Sequence, residues 1–308
     1  MSRARKIWIS IVGALLLVIV GLVLAFVLSS PSAPKLPIDV ETKEIPRSWI
    51  EPEPTADNGV SASSSEIEDE APASEPYVST GRLTMIANGK PFGEEAYSLT
   101  ISEKQATLTS SGRFWFKVVL ATIHVTFEQT FEGEGDLTPM LYVAEFHAPL
   151  GFDRSIRATV EEDRVTIERS DDVEQLRIEP KETFALGTFS TYVLLPRLYG
   201  LRRENGSATF EVLVFGGPPS QQAHVDASEE GLPTMQVARI GTASLRTGDV
   251  LLDADCYVIS SDLGESELFA RADEFLALRA GTGKDSLLVY RSDYFPDGIE
   301  IVSITSLR

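Results

Sequence analysis

The sequence predicts a mainly β protein. The expected body is a curved antiparallel meander, a half-barrel or open barrel with a short covering helix, preceded by one transmembrane helix and a disordered tether. Three observations predict this. An unbroken apolar run lies near the amino end, a Pro- and carboxylate-rich stretch follows it, and from about residue 79 onward apolar and polar residues alternate in runs separated by polar turns.

The apolar run is residues 7–28, IWISIVGALLLVIVGLVLAFVL, 22 residues with no charge and Ser10 as its one polar member. As a helix it would span roughly 33 Å, close to the roughly 30 Å of bilayer hydrocarbon. Arg3, Arg5 and Lys6 precede it, so residues 1–6 read as a cytoplasmic stub. The positive-inside bias then places the rest of the chain outside, in the periplasm or beyond the cell. Cleaved signal peptides carry shorter apolar cores of about 7–15 residues. A cut after Ala33 would also leave Pro34 as the first residue. The expectation is therefore an uncleaved signal-anchor, with the membrane as partner through residues 7–28.

Residues 29–78 read as the tether. Between positions 31 and 78 there are eight prolines, and eleven carboxylates stand against three cations. Such a stretch buries too little apolar surface to offset chain entropy, and its like charges and prolines extend it. Trp49 and Ile50 are its one sticky spot.

Residues 79–308 read as one extracytoplasmic β-rich domain, with two sub-sheets meeting near Gly216-Gly-Pro-Pro219 as a variant of that layout. Asn88-Gly89 between alternating runs marks a hairpin, because both residues tolerate positive φ. The longest strand is expected over residues 119–131. It places Val119, Ala121, Ile123, Val125, Phe127 and Phe131 on one face and Leu120, Thr122, His124, Thr126, Glu128 and Thr130 on the other. A strand this long and one-sided points to strong sheet curvature. Further strands are expected over 140–146, 155–161, 164–169, 174–179, 208–215, 234–244, 250–259, 267–271 and 286–291. Residues 188–199 break the pattern: Tyr192, Leu195, Leu198 and Tyr199 recur at helical spacing, and Pro196 marks a kink or a first turn.

The chemistry of the chain is mostly exclusion. A net charge of −19, from 27 Lys and Arg against 46 Asp and Glu, argues against nucleic acid as partner. One cysteine and three scattered histidines argue against a disulfide framework, a thiolate zinc site and a histidine-rich metal centre. Gly281-Thr-Gly-Lys284 lacks the upstream glycine and the following Ser or Thr of a phosphate loop and reads as a turn. Cys256 alternates in phase with Val250, Leu252, Ala254 and Val258, as a small buried hydrophobe does. No catalytic residue, metal ligand or cofactor is expected.

Asn88-Gly89-Lys90, Arg113-Phe-Trp-Phe116, the long strand and the 188–199 segment together resemble the half-barrel lipid carriers of bacterial envelopes, the LolA/LppX-type transporters. The resemblance is architectural, covers about 150 residues, and departs from the family in having an apolar anchor where those proteins carry a lipidated cysteine. It implies a curved sheet whose apolar concave face is closed by short helices, and it transfers no functional residue. The expected function is that of a single-pass, membrane-anchored protein binding a lipid or another apolar ligand. Phe114, Phe116, Ile123, Val125, Phe127, Tyr192, Leu195 and Leu198 are the candidate lining. The alternative is a non-enzymatic scaffold domain with an envelope protein as partner.

Overall fold

In the computed structural model the described residues are 41–46, 75–118, 121–149, 153–170, 172–215, 232–261, 264–281 and 286–307. The expected membrane helix at 7–28 and the Gly216-Gly-Pro-Pro219 break lie outside them. Within them, no helix is long and apolar enough to cross a membrane.

The body is mainly β. Strands β1 (Tyr77–Ala87), β2 (Lys90–Ile101), β3 (Gln105–Val118), β4 (Ala121–Glu134), β5 (Pro139–His147), β6 (Arg154–Glu161), β7 (Arg164–Arg169) and β8 (Asp172–Arg177) succeed one another as an antiparallel meander. Next come β9 (Thr183–Leu186), a 3-10 helix at Phe189–Leu194 and the α-helix α1 (Leu195–Arg202). The remaining strands are β10 (Ser207–Val214), β11 (Thr234–Thr247), β12 (Val250–Ser261), β13 (Gly264–Arg271), β14 (Glu274–Ala280), β15 (Leu287–Arg291) and β16 (Glu300–Ser306).

All sixteen strands belong to one open, curved sheet rather than to two. The seam between the chain's halves is the β1–β15 pair, with Leu83 opposite Arg291. β9 and β10 form a parallel pair. β10 and β16 lie end to end along β11, pairing with its residues 234–238 and 241–246 respectively.

Local chemistry explains the strand ends. The β1–β2 turn has Asn88 at φ 55° and Gly89 at φ 72°, the doubly left-handed turn whose twist matches a two-residue hairpin. On β11 a bulge between Arg239 and Gly241 inserts one residue. Because side chains alternate, one inserted residue reverses the faces. Met235 and Val237 therefore face the main core, whereas Ala243 and Leu245 face a second cluster.

Curvature follows from where the apolar side chains meet. Each of β1–β15 contributes to one continuous core, including Leu83, Tyr97, Leu108, Phe131, Ile167 and Phe210. Tyr142 of β5 stacks on Phe215 just beyond β10, centroids 4.4 Å apart, although those strands lie on opposite flanks of the sheet. A flat sheet could not bring them together. The smaller cluster covers the opposite face at β11–β15 and includes Cys256, Phe269, Leu276, Tyr294 and Phe295. β13 and β14 are consequently buried on both faces. Leu268 and Phe275 point to one cluster, and Phe269 and Leu276 to the other.

Residues 41–46, within the stretch read as tether, lie against the body. The Lys43 backbone N–H donates to the Asp293 carbonyl at 2.6 Å, its ammonium reaches the Thr80 carbonyl, and Ile45 packs on the smaller cluster.

Candidate functional site

The 3-10 helix Phe189–Leu194 and α1 sit over the concave face. Pro196 occupies the first turn of α1, where its missing N–H costs nothing. Leu195 and Leu198 are fully buried beneath it, and Arg202 pins its end to the β4–β5 turn through Asp136 at 2.8 Å and Thr138 at 3.0 Å. Tyr199 packs edge-on against Tyr257 at 5.0 Å. The cover is thus fixed at its far end by both apolar and charged contacts.

At its near end one turn engages two different surroundings. Phe189 enters a row of aromatic rings. Phe114 stacks on Phe127 at 4.9 Å and on Phe92 at 6.2 Å, and Phe189 meets Phe92 and Phe114 edge-on at 6.4 and 6.5 Å. Phe146 continues the row from Phe127 at 6.0 Å, and Tyr192 extends it from Phe189 at 6.5 Å. Phe127 is fully buried, but Phe92, Phe114, Phe146, Phe189 and Tyr192 remain partly open. Edge-to-face and offset rings of this kind leave apolar faces that a further apolar group can cover.

The neighbouring Ser190 enters a buried polar network. Glu95 of β2, wholly buried, accepts from Ser110 Oγ at 2.6 Å, from the Thr188 hydroxyl, and from the Ser190 backbone N–H at 3.1 Å. Gln129 of β4 donates to Ser190 Oγ at 2.6 Å and accepts from Tyr142 at 2.9 Å and the Thr188 backbone N–H at 3.1 Å. Gly187 makes this approach possible, since a Cβ there would collide with the Tyr142 hydroxyl and Gln129. Burial drives the Glu95 carboxyl above the ordinary carboxylate range, and its hydroxyl and amide donors only partly oppose that shift. Burial also pushes the Tyr192 phenol up to about 12.

The eight candidate lining residues divide into three groups. Phe114 and Tyr192 belong to the partly open row. Phe127, Leu195 and Leu198 are packed core. Phe116, Ile123 and Val125 lie further out on the β3–β4 hairpin, where Phe116 pairs with Ile123 and Phe114 with Val125. Phe92, Phe146 and Phe189 were not among the candidates. Phe92 follows directly on the Asn88-Gly89 turn, and Phe189 opens the covering segment, so both were within reach of the sequence pattern. Nothing in the sequence marks Glu95 or Gln129 as buried partners.

Other groups are accounted for locally. Cys256 is buried with its thiol pushed up to about 11 by that burial. Asp255 pairs with Arg239, and Asp253 accepts from Ser244 at 3.0 Å. His147 faces Asp153 at 3.4 Å on the surface. His124 is half-buried, with Nδ1 lacking a hydrogen-bond partner among the described residues. Among those residues no three His, Cys, Asp or Glu side chains are grouped to hold a metal ion.

No family model matches the chain, and no curated protein does. Two solved structures are similar to it in part, at low identity. One is a DUF1089 family protein from Pseudomonas aeruginosa, 14% identical over 60% of this chain and 88% of that one, TM-score 0.37. The other is a β-barrel-like DUF1849 protein from Brucella abortus, 12% identical over 74% of this chain and 98% of that one, TM-score 0.44.

Proposed function

We propose that this chain is a single-pass, membrane-anchored extracytoplasmic protein whose curved sheet holds an apolar ligand, a lipid acyl chain, against the aromatic row. One observation carries the reading: five aromatic side chains of the row, three on the sheet and Phe189 and Tyr192 on the helical cover, are only partly covered although they sit beside a continuous core. A protein that needed these rings only for packing gains by burying them fully, since each buried aromatic contributes about 1.5–3 kcal/mol. Pockets for apolar ligands combine such surfaces with few polar groups. Residues 7–28 would place the domain beside a source of lipid, and the architectural likeness to envelope lipid carriers points the same way.

The test is native extraction of the full chain followed by lipid mass spectrometry. Wild type is expected to carry lipid in near-stoichiometric amount, and Phe114→Asp to lose most of it. Wild type and variant emerging equally empty, both folded, would sink the ligand reading. Protease shaving of intact cells tests the anchor separately, since the body should be cut away from outside.

A further inference from the structure

One turn of the cover rests on a carboxyl group. Among the described residues, the hydrogen bonds that tie Thr188 and Ser190 to the sheet end on Glu95 of β2, Ser110 of β3 and Gln129 of β4. Glu95 accepts from the Thr188 hydroxyl and, at 3.1 Å, from the Ser190 backbone N–H. Ser190 Oγ donates to Ser110 Oγ at 3.0 Å and accepts from Gln129 at 2.6 Å. The Thr188 backbone N–H donates to Gln129 at 3.1 Å. Glu95 thus holds the cover on either side of Phe189, the ring that meets Phe92 and Phe114 edge-on.

The sheet around Glu95 is held from both sides. Leu83 of β1 and Gly112 of β3 flank Glu95, and Ser110 and Ala144 flank Gln129. The cover is freer at this end. Phe189 and Tyr192 are only partly covered. The helical ladder also breaks where the 3-10 helix meets α1: Pro196 has no N–H, and the Tyr192 carbonyl accepts from Leu195 instead. Beyond that junction α1 is pinned through Arg202 to Asp136. Residues 188–194 therefore form a short flap jointed at Leu195–Pro196. Ser190, Thr191, Val193 and Leu194 are buried, so the flap lies closed.

Among the described residues no cation offsets the burial of Glu95; only hydroxyl and amide donors do. Its ionisable neighbours on the inner face are the phenols of Tyr142 and of Tyr97, two residues along β2, and burial holds both above their ordinary range. Burial does the same for Tyr192 on the flap. Charged groups of the packed elements are engaged elsewhere. Glu94 pairs with Arg113, Glu274 with Arg291 and Arg279 with Glu267, while Arg197 of α1 lies over the Tyr77 ring. Glu128 and Arg82 alternate to the other face of β4 and β1, and β9 carries no ionisable group. An ionised Glu95 would be a lone charge among hydroxyls and phenols, a state that water relieves. The flap is the wall that can move to admit it.

We propose that Glu95 is a proton-operated latch: neutral, it holds the 188–194 flap down beside the aromatic row; ionised, it draws in water, lifts the flap about Leu195–Pro196 and opens the row to an apolar ligand. The latch rests on the ligand reading for its purpose, since the row it uncovers is the proposed lipid site, but the flap moves with or without a ligand. The closed state keeps a proton that the open state releases to water. The opening constant therefore rises by up to about tenfold per pH unit from the ordinary carboxylate range to the raised closed-state value, and is level above it.

The experiment is hydrogen exchange read by mass spectrometry on the full chain in detergent micelles, from about pH 4 to about pH 10, each rate divided by the intrinsic rate at that pH. Residues 188–194 report the flap, and residues 268–278 of β13 and β14 report global unfolding. The flap is expected to exchange faster than 268–278 at every pH. Its protection should fall by up to about tenfold per pH unit in wild type and stay level in Glu95→Gln. The infrared band of a protonated carboxyl should vanish in wild type where the flap's protection levels off, and this measurement stands if Glu95→Gln does not fold. Flap protection that ignores pH, or that changes equally in Glu95→Gln, overturns the proposal. So does flap exchange that merely coincides with that of 268–278, or a carboxyl band that persists beyond the levelling. Lipid retained by the same samples, counted by native mass spectrometry, separates the two readings. Empty protein with a pH-dependent flap sinks the ligand and leaves the latch; bound lipid beside an unresponsive flap does the reverse.

Discussion

At the scale of single residues, Glu95 is the costliest group in the molecule to explain and the most informative to change. It is wholly buried, and its partners are hydroxyls and a backbone amide, none of them cationic. Burial raises its folded pKa, so the folded state holds this proton more tightly than the unfolded chain does. Its contribution to stability is complete at pH below the ordinary carboxylate range and is lost as pH rises through the raised value. Glu95→Gln keeps an acceptor and removes the titration. Unfolding free energies from urea titrations across pH should therefore fall with rising pH in wild type and flatten in Glu95→Gln, the two separating by about 1–3 kcal/mol at the alkaline end. Parallel curves would show a carboxylate that ionises freely. Arg291 is the opposite case. It is equally buried, but its guanidinium meets Asp293, Glu274 at 2.8 Å and the Thr80 carbonyl at 2.9 Å. Gly81 leaves room for it, since a Cβ there would collide with the guanidinium and with Tyr97. Both buried charges sit on strands whose alternation was legible, but alternation tells which residues share a face and not which face is dry.

At the scale of elements, most strands with one wet face declared themselves, whereas of the two strands buried on both faces β13 was read only over 267–271 and β14 not at all. β7 was read at its observed bounds, and β5, β6 and β12 lay within two residues. β14 was missed because Phe275-Leu-Ala-Leu278 is continuously apolar, a pattern that follows from burial on both sides. β3 was missed for a different reason: Ser110 and Gly112 interrupt its apolar face, where Ser110 donates to Glu95 and Gly112 leaves room for Phe127. The long strand expected over 119–131 is observed as Ala121–Glu134, with positions 119 and 120 outside the described residues, and the polar Gln129 shares its buried face. The cover expected over 188–199 begins as a 3-10 helix and becomes α-helical only at Leu195, one residue before Pro196. Two-sided burial has a measurable consequence. Leu276→Ala should cost about 2–5 kcal/mol by chemical denaturation, as a core truncation does. Leu251→Ala on nearby β12, where the side chain is 52% exposed, should change stability by less than about 0.5 kcal/mol. Equal effects would mean that the smaller cluster is not a true core.

At the scale of the whole molecule, the sheet was legible as one curved meander but its seam was not. The β1–β15 pair joins residues about two hundred positions apart, and no local pattern encodes such a partner. The contact of residues 41–46 with the body was equally hidden, because the composition around them is that of a solvated chain and only Ile45 and Lys43 make the exception. Ile45→Asp should free this segment. Tryptic cleavage after Lys43 is then expected to quicken by about tenfold while global unfolding is unchanged, since only a local opening is made easier. An unchanged cleavage rate would mean that the segment is already loose in wild type. The contact also changes what the amino-terminal stretch can do if residues 7–28 cross a bilayer. Measured to the start of β1, the covalent leash is 48 residues and reaches at most about 170 Å. Fastened at residue 41 it is 12 residues and reaches about 43 Å. The volume the body can explore shrinks about sixtyfold, and its encounter frequency with the lipid surface rises in proportion. A clip made by one isoleucine and one lysine would thus decide whether the domain roams the envelope or patrols its own patch of membrane.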